Sequence, residues 1–546
     1  MDIEKNVFRG HVVDLVARRI FEGEFTVKDG RIDSVRECQV DETAPYFLPG
    51  FIDSHVHIES SMMTPVEFAR IALRHGTIGA VCDPHEIANV MGTDGIELML
   101  DLAKLADFRF ALGMPSCVPS CNREIETSGY VLGPDKVGEF MKRDDIYFLS
   151  EMMNFPGVLG ADADVMAKIE LARAAGKPVD GHAPGLMGDD RAKYAAAGIS
   201  TDHECTSLEI GRSAVSSGMY VQIREGSAAK DYAALAPLIA EAPGRVMFCT
   251  DDCHPEDFVR GHIDRIVRRA ISEGYDLMDI LTAACMTPVK HYGMPAGLLQ
   301  EGDPADFIVI TDLTPYFRVM KSYINGEKVF SSKGQFTASR MLERSVKVQK
   351  NIVQRMINNF HAEPITAGDI AHTPAAVEDI IVAMDGSLFT LSEKGPVGPD
   401  VQKLVVLDRY SVGKVPKVAY IKGFGLTKGA VAQSIAHDCH NIVAVGCSDE
   451  ELVRVINRVI EMKGGIAVSD GTVMEDLPLP IGGIMSPLCG HELAFRCRLL
   501  DELVKCAGCR FHSPFITLAF MCLPVIPQLK LTDKGLFDSV KFQFVK

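Results

Sequence analysis

The stretch Leu48-Pro49-Gly50-Phe51-Ile52-Asp53-Ser54-His55-Val56-His57 carries an apolar run into two histidines separated by one valine. In a β-strand, residues two apart point to the same face. Such a strand offers the imidazoles of His55 and His57 to one ion and turns Val56 into the packing. Other apolar runs end in a similar way. They close with Asp83, Glu151, His182, His203, Arg224-Glu225 and Asp251-Asp252. Four histidines with carboxylates at the ends of short strands are a metal-ligand set, because buried polar groups need partners. Imidazole and carboxylate donors suit zinc, iron(II) or manganese(II), and a pair of ions needs a shared ligand such as Glu151. Two ions sharing a hydroxide make a strong nucleophile at neutral pH.

The elements that must position these residues are eight short runs separated by helical patterns. The runs are GFIDSHVH, IGAVCD, RFALGMPS, IYFLSE, PVDGHA, ISTDHE, YVQIRE and VMFCTDD. Amphipathic stretches such as TPVEFARIALRHG and ADVMAKIELARAAG lie between them. This alternation predicts an α/β fold built on a (β/α)8 TIM-type barrel, whose active site lies at the C-terminal ends of the strands. The barrel is expected over residues 49–300. Turn signals at Asp29-Gly30 and Asn325-Gly326 predict hairpins on either side of it. Residues 1–48 plus 301–345 are expected to form one small flanking β-domain, and 346–546 a C-terminal α+β domain. A helix is expected over RSVKVQKNIVQRMINNF, and a buried strand in Phe515–Pro527.

The bulk composition narrows the class. The chain has 546 residues, 47% hydrophobic and 24% charged, with a net charge of −17. That charge argues against nucleic acid or an anionic membrane as partner, because both favour a basic surface. No apolar segment is long enough to span a bilayer. The first residues have no apolar core of a secretory signal, so a cytoplasmic location is expected. The 15 cysteines have no framework spacing and read as reduced, small hydrophobes. The single Cys506-x-x-Cys509 pair reads as structural rather than zinc-binding.

Lesser features take a plain reading first. Asp83 and His85-Glu86 could cap a helix, although their place beyond the second strand favours a pocket role. Cys117 reads as packing. Arg224-Glu225 is either an internal ion pair or a shaper of the pocket. Gly482-Gly483 reads as a tight turn, since no lysine follows at phosphate-loop spacing.

The motifs PGFIDSHVHIESSMMTP, DPHEIANVMG, PSCVP, SEMMNFPGV, DGHAPGL, TDHECTS, TDDCHPEDF and AHDCHNI together resemble the bacterial and archaeal adenine deaminases of the amidohydrolase superfamily. The resemblance covers essentially the whole chain. It implies hydrolysis of adenine to hypoxanthine and ammonia, with a divalent, binuclear metal centre. Manganese is the favoured ion, with iron(II) and zinc as alternatives. It implies His55, His57, Glu151, His182, His203 and Asp251 as metal ligands, with Asp251 also moving protons. Asp252 would meet a purine ring N–H, and Glu225, Glu86 and His85 are candidates to protonate ring nitrogen N1. His437, Asp438, His440 and Asn441 form either a polar turn or a cover over the barrel mouth that binds the purine edge. The family pattern carries serine where this chain has Cys439, a swap that keeps size but weakens hydrogen bonding. A homo-oligomer, a dimer, is expected.

Three alternatives are weighed against this. Cyclic amidases often bridge their metals with a carboxylated lysine, yet Glu151 has no lysine beside it. The adenosine deaminase branch uses His-Ala-x-Glu, and Gly185 stands where that glutamate would be. A barrel decayed into a binding module would not keep every ligand position. An amidohydrolase acting on another purine or a cyclic amide or amidine remains the alternative activity.

Overall fold

A computed structural model describes residues 6–333, 358–385 and 387–545. The chain begins with β1 (Val7–Asp14), β2 (Arg19–Lys28), β3 (Arg31–Glu37) and β4 (Tyr46–Leu48). β2 and β3 are joined at Asp29-Gly30, with φ of 49° and 76°. Two positive φ angles in a two-residue loop match the strand twist, which is why Asp-Gly serves there.

Eight barrel strands follow: β5 (Phe51–Val56), β6 (Thr77–Cys82), β7 (Arg109–Met114), β8 (Phe148–Met152), β9 (Val179–Gly181), β10 (Thr201–Asp202), β11 (Tyr220–Arg224) and β12 (Val246–Cys249). Each overlaps one of the expected runs, with β6 beginning and β8 ending one residue outside it. β5 to β9 and β10 to β12 pair in parallel order. A bridge between Val179 and Ile199 joins the two sheets, and one between Val56 and Asp251 closes the ring. At that closure the Asp251 N–H donates to the carbonyl of His55 at 2.9 Å. The result is a TIM-type barrel with both functional strand ends tied together.

β13 (Phe307–Ile310), β14 (Val319–Ile324) and β15 (Glu327–Ser331) return to the first sheet. The seven strands run in the order β15-β14-β13-β4-β1-β2-β3, so residues before and after the barrel share one sheet. Phe25, Phe47, Phe307 and Tyr323 form its buried aromatic core. The Asn325-Gly326 hairpin has φ of 49° and 75°, as the sequence requires.

The C-terminal region holds β16 (Glu378–Val382), β17 (Leu391–Gly395), β18 (Val401–Leu407), β19 (Lys417–Lys422), β20 (Ala430–Gln433), β21 (Ile442–Gly446), β22 (Gly465–Ser469) and β23 (Met474–Pro478). They form one mixed sheet, in the order β17-β16-β19-β18-β21-β20-β22-β23. The helix Asp449–Met462 packs on it through Leu452, Val455, Ile456 and Val459, and the Ser448 side chain caps that helix. Its core joins that of the barrel: Ile481, Ile484 and Met485 belong to one buried cluster with Met62, Met63 and Ile87.

Phe515–Pro527 is not a strand: Pro514–Ala519 is a helix, followed by a 3-10 turn over Phe520–Cys522. An all-apolar run has no periodicity to separate a buried strand from a buried helix, and Pro514 at the first turn suits a helix start. Residues 344–357 of the expected helix RSVKVQKNIVQRMINNF lie outside the described residues.

Candidate metal centre and its cover

β5 delivers His55 and His57 with their rings 4.9 Å apart, while Val56 is wholly buried. β8 delivers Glu151 between two pairs of imidazoles. Its Oε1 lies 3.2 Å from His57 Nε2 and 3.9 Å from His55 Nε2. Its Oε2 lies 2.7 Å from His182 Nδ1 and 3.2 Å from His203 Nε2. Asp251 Oδ1 stands 3.2 Å from His57 Nε2 and 3.6 Å from His55 Nε2. Asp251 has φ of 56°. This left-handed turn right at the barrel closure is an uncommon backbone state that clusters at functional sites.

The donor chemistry fits a cation. His57 Nδ1–H donates to the carbonyl of Asp83 at 3.0 Å, which leaves a lone pair on Nε2 of the neutral ring. That lone pair then faces two carboxylate oxygens at 3.2 Å. Two lone-pair bearers at this distance need a proton or a metal ion between them. His55 Nε2 is buried with no hydrogen-bond partner. Ligand atoms of His55, Glu151 and His203, and of His55, His57 and Asp251, fall within 4.8 Å of one another. Burial alone would raise the Glu151 carboxyl, but His203 and His182 outweigh it and hold it well below the usual range. Asp251 is likewise held well down against its burial, by His55, His57 and the Arg224 guanidinium.

Arg224, at the end of β11, is fully buried among carboxylates. It donates to Glu204, to Asp231 Oδ2 at 2.9 Å and to Asp251 Oδ2 at 3.0 Å. Arg224 is therefore an internal ion-pair centre, but its partners do not include Glu225. Glu204, next to His203, lines the cavity and went unassigned in the sequence; its place at the end of a strand run was the available signal.

The cover comes from the C-terminal region. The loop between β20 and β21 brings His437 and Asp438 to the wall of the same cavity as His57, Glu151 and Asp251. Ser434 Oγ donates to the Gly483 carbonyl at 2.6 Å, and the Arg409 guanidinium donates to the Gly482 carbonyl at 2.5 Å. Gly482 and Gly483 have φ of 62° and 77°, so the tight turn that anchors the loop depends on them. Glu86, on the helix His85–Met91, lies 3.0 Å from His437 Nδ1 and accepts from Ser60 Oγ at 3.0 Å. Ser60 Oγ also lies 2.5 Å from Asp252 Oδ1, so one hydroxyl links the two carboxylates. Burial first, then Asp251, push the Asp252 carboxyl up to about 6. His85 has Asp83 3.1 Å from one ring nitrogen and Asp438 3.6 Å from the other. Leu388, Phe520, Leu523 and Ile526 complete an apolar roof. The cavity measures about 20 Å³. That suffices for a water molecule, which needs ~10–15 Å³, but a purine enters only if the roof shifts.

His55 belongs to the ligand cluster without lining the cavity, and three other expected site residues lie outside both. Glu225 alternates to the opposite face from Arg224 and meets Arg269 at 3.4 Å, so it is no candidate proton donor. Asn441 spends its amide on backbone: its Oδ1 accepts from the Arg409 N–H at 3.2 Å, and its Nδ2 donates to the Thr127 carbonyl at 2.9 Å. His440 stands behind Glu86, with Nε2 3.7 Å from Oε2, and does not line the cavity. Cys439 packs its sulfur 3.8 Å from the Asn89 side chain, also off the cavity wall.

Residues 46–329 match the Amidohydrolase family, and residues 376–543 match the adenine deaminase C-terminal domain. A barrel with this ligand set is thus an amidohydrolase barrel in class. The chain is 47% identical to the adenine deaminase of Salinibacter ruber, with 98% of each chain covered. It is 46% identical to that of Methanosarcina mazei, again over 98% of each, and 40% identical to that of Borreliella burgdorferi over the full length of both. The chain belongs to the adenine deaminase family.

Proposed function

We infer that this chain hydrolyses adenine to hypoxanthine and ammonia in the cavity between the barrel and its cover. It is a hydrolase of C–N bonds in cyclic amidines, and the reaction belongs to purine salvage. The observation that carries the reading is the meeting, in one buried cavity, of the imidazole–carboxylate cluster with His437 and Asp438 of the adenine deaminase C-terminal domain.

His55, His57, Glu151, His182, His203 and Asp251 would hold a pair of divalent ions, with Glu151 shared between them. Manganese is the ion favoured by the family resemblance, since imidazoles and carboxylates without thiolate suit iron(II) and zinc as well. When bound, the ions supply a Lewis acid that makes water a nucleophile near neutral pH. Asp251 takes a proton from the attacking water and returns it to the amino group that leaves C6 as ammonia. Arg224 fixes the far oxygen of Asp251, so the carboxylate cannot swing between the two transfers. Asp252, oriented by Ser60, accepts a hydrogen bond from a purine ring N–H. His85 ties the metal cluster to Asp438 of the cover, and the apolar roof excludes bulk water once adenine is bound.

Among the described residues no helix is long and apolar enough to cross a membrane. All 15 cysteines are unpaired. A cytoplasmic homodimer acting on a small molecule, with neither nucleic acid nor membrane as partner, completes the reading. The test is turnover of a purine panel after separate reconstitution with manganese, iron(II) and zinc. Adenine should be converted fastest, with ammonia released in equal amount. A metal-loaded enzyme that leaves adenine intact and turns over another cyclic amidine or amide would replace this function with the alternative.

A further inference from the structure

We propose that His437, carried by the C-terminal domain, is the acid that protonates the purine ring as water adds to C6, and that Glu86 is the residue that positions it. The inference rests on the adenine deaminase reading and deepens it.

Addition of water to C6 puts an electron pair on ring nitrogen N1, so a proton donor must face the ring. Few groups in the cavity can serve. Glu204 is committed to Arg224. His85 has a carboxylate near each ring nitrogen and packs against His57 at 4.5 Å, within the metal cluster. Asp252 is committed to Ser60 and, in the proposed reading, accepts from the ring rather than donating. His437 remains the imidazole on the cavity wall that stands apart from the metal cluster. Its ring stacks on Phe520 at 4.4 Å and 20°, and its backbone N–H donates to the Ala519 carbonyl at 3.2 Å. Its Nδ1 lies 3.0 Å from Glu86 Oε1. A Glu86 carboxylate at that position keeps a proton on Nδ1 and stabilises the imidazolium.

The groups that face His437 are Glu86 from the helix His85–Met91, Asp252 beyond β12, and Asp438 and His440 of its own loop. Burial pulls its pKa down, but Glu86, Asp252 and Asp438 outweigh that and hold it up at about 9. It therefore stays charged at neutral pH.

The step balances. His437 gives a proton to N1 as the C6–O bond forms, and the attacking water gives one proton to Asp251. Asp251 passes that proton to the exocyclic nitrogen, the C6–N bond breaks, and ammonia leaves. The hydroxyl proton at C6 is lost as the carbonyl forms and restores His437. Hypoxanthine keeps the proton on N1.

The experiment is steady-state kinetics on metal-reconstituted full-length enzyme, with adenine as substrate. His437→Gln should keep wild-type metal content and lose roughly 10²–10⁴-fold in kcat, the span of general acid help, with a smaller change in KM. The alkaline fall of kcat should vanish with it. Glu86→Gln should move that fall to lower pH, because His437 loses its counter-charge, and Glu86→Asp should restore part of the shift. A Glu86 variant that loses stability while keeping the wild-type profile overturns the positioning role. A kcat for His437→Gln within about tenfold of wild type overturns the donor. So does an alkaline fall kept in His437→Gln but removed by Asp252→Asn. If His437→Gln does not fold, His437→Gly with added imidazole decides: turnover that rises with imidazole supports the donor, and none overturns it. Wild-type enzyme inert toward adenine would instead overturn the function proposed above, so the two failures are distinct.

Discussion

The two halves of the cavity are built by opposite means. On the barrel side, each ligand sits at the end of a different strand, and the hydrogen-bonded ring fixes it directly. On the cover side, the loop between β20 and β21 has no such ladder of its own. It is held by single contacts that converge from distant segments: Gly483, Arg409, Thr127, Tyr410 and Phe515 all bond to residues 433–441. A strand end holds a functional group through regular backbone pairing. A buried loop needs a dedicated polar partner for nearly every residue, since its backbone cannot be left unsatisfied. The barrel side should therefore fail in chemistry when altered, and on the cover side the residues that hold the loop, as distinct from His437 itself, should fail in stability or closure.

The largest effect is expected at Glu151. Glu151→Gln keeps the shape but removes the charge that faces both imidazole pairs. It should lose at least one ion and cost more than the ~10–100-fold typical of residues that merely orient ligands. Metal analysis beside turnover checks it. Full metal occupancy in the folded variant would remove Glu151 from the shared position.

Arg224→Met probes the same side from below. The change leaves Glu204, Asp231 and Asp251 buried without their cation. Breaking a buried ion pair costs about 3–5 kcal/mol, to be read by chemical unfolding of the metal-loaded protein. Turnover should also fall in whatever fraction stays folded, because Asp251 loses its hold. Normal turnover per folded molecule would confine Arg224 to structure.

Asn441→Ala sharpens the contrast from the cover side. It orphans the Arg409 N–H and the Thr127 carbonyl, at roughly 1–3 kcal/mol for each unsatisfied group. Turnover per folded molecule should stay close to wild type, since Asn441 does not line the cavity. A large loss of kcat with unchanged stability would return Asn441 to substrate binding.

Period-two alternation made the barrel side legible in the sequence. His55-Val56-His57 could be read as two ligands and one packing residue, and the eight strand runs could be counted. The same rule sends Glu225 away from the mouth once Arg224 is known to point into it, but the sequence does not say which of the two points inward. Asp251 and Asp252 break the rule and both line the cavity, because Asp251 adopts a positive φ that no alternation anticipates. Glu204 gained its meaning only from Arg224 on the neighbouring strand, a contact between strands that one chain of letters does not display. On the cover, polar residues clustered in HDCHN announced something unusual without dividing the work. His437 and Asp438 reach the cavity, while Asn441 holds the loop. That division depends on which backbone groups the loop leaves open, and thus on segments 32 and 314 residues away.

The smallest effect, a slope rather than a loss, concerns how the roof is held. Lys530 on the short strand Leu529–Thr532 is fully buried, and it donates to the carbonyls of Leu388 and Phe520 at 2.9 and 2.8 Å. Both of those residues line the cavity, so one amine pins two parts of the roof. Burial pushes its pKa down to about 7, while an unfolded lysine titrates near ~10.4. Below about 7 the group is charged in both states and the fold bears the full cost of burying the ion. As pH rises from about 7 toward ~10.4 the folded state gives up its proton first. The unfolded state then binds more protons, so stability rises with pH, by at most ~1.4 kcal/mol per pH unit from this group. Lys530→Met lacks the term. The stability of wild type minus that of Lys530→Met, from urea unfolding at two pH values within this window, should therefore grow with pH. A difference that stays flat would mean that the amine remains charged in the fold.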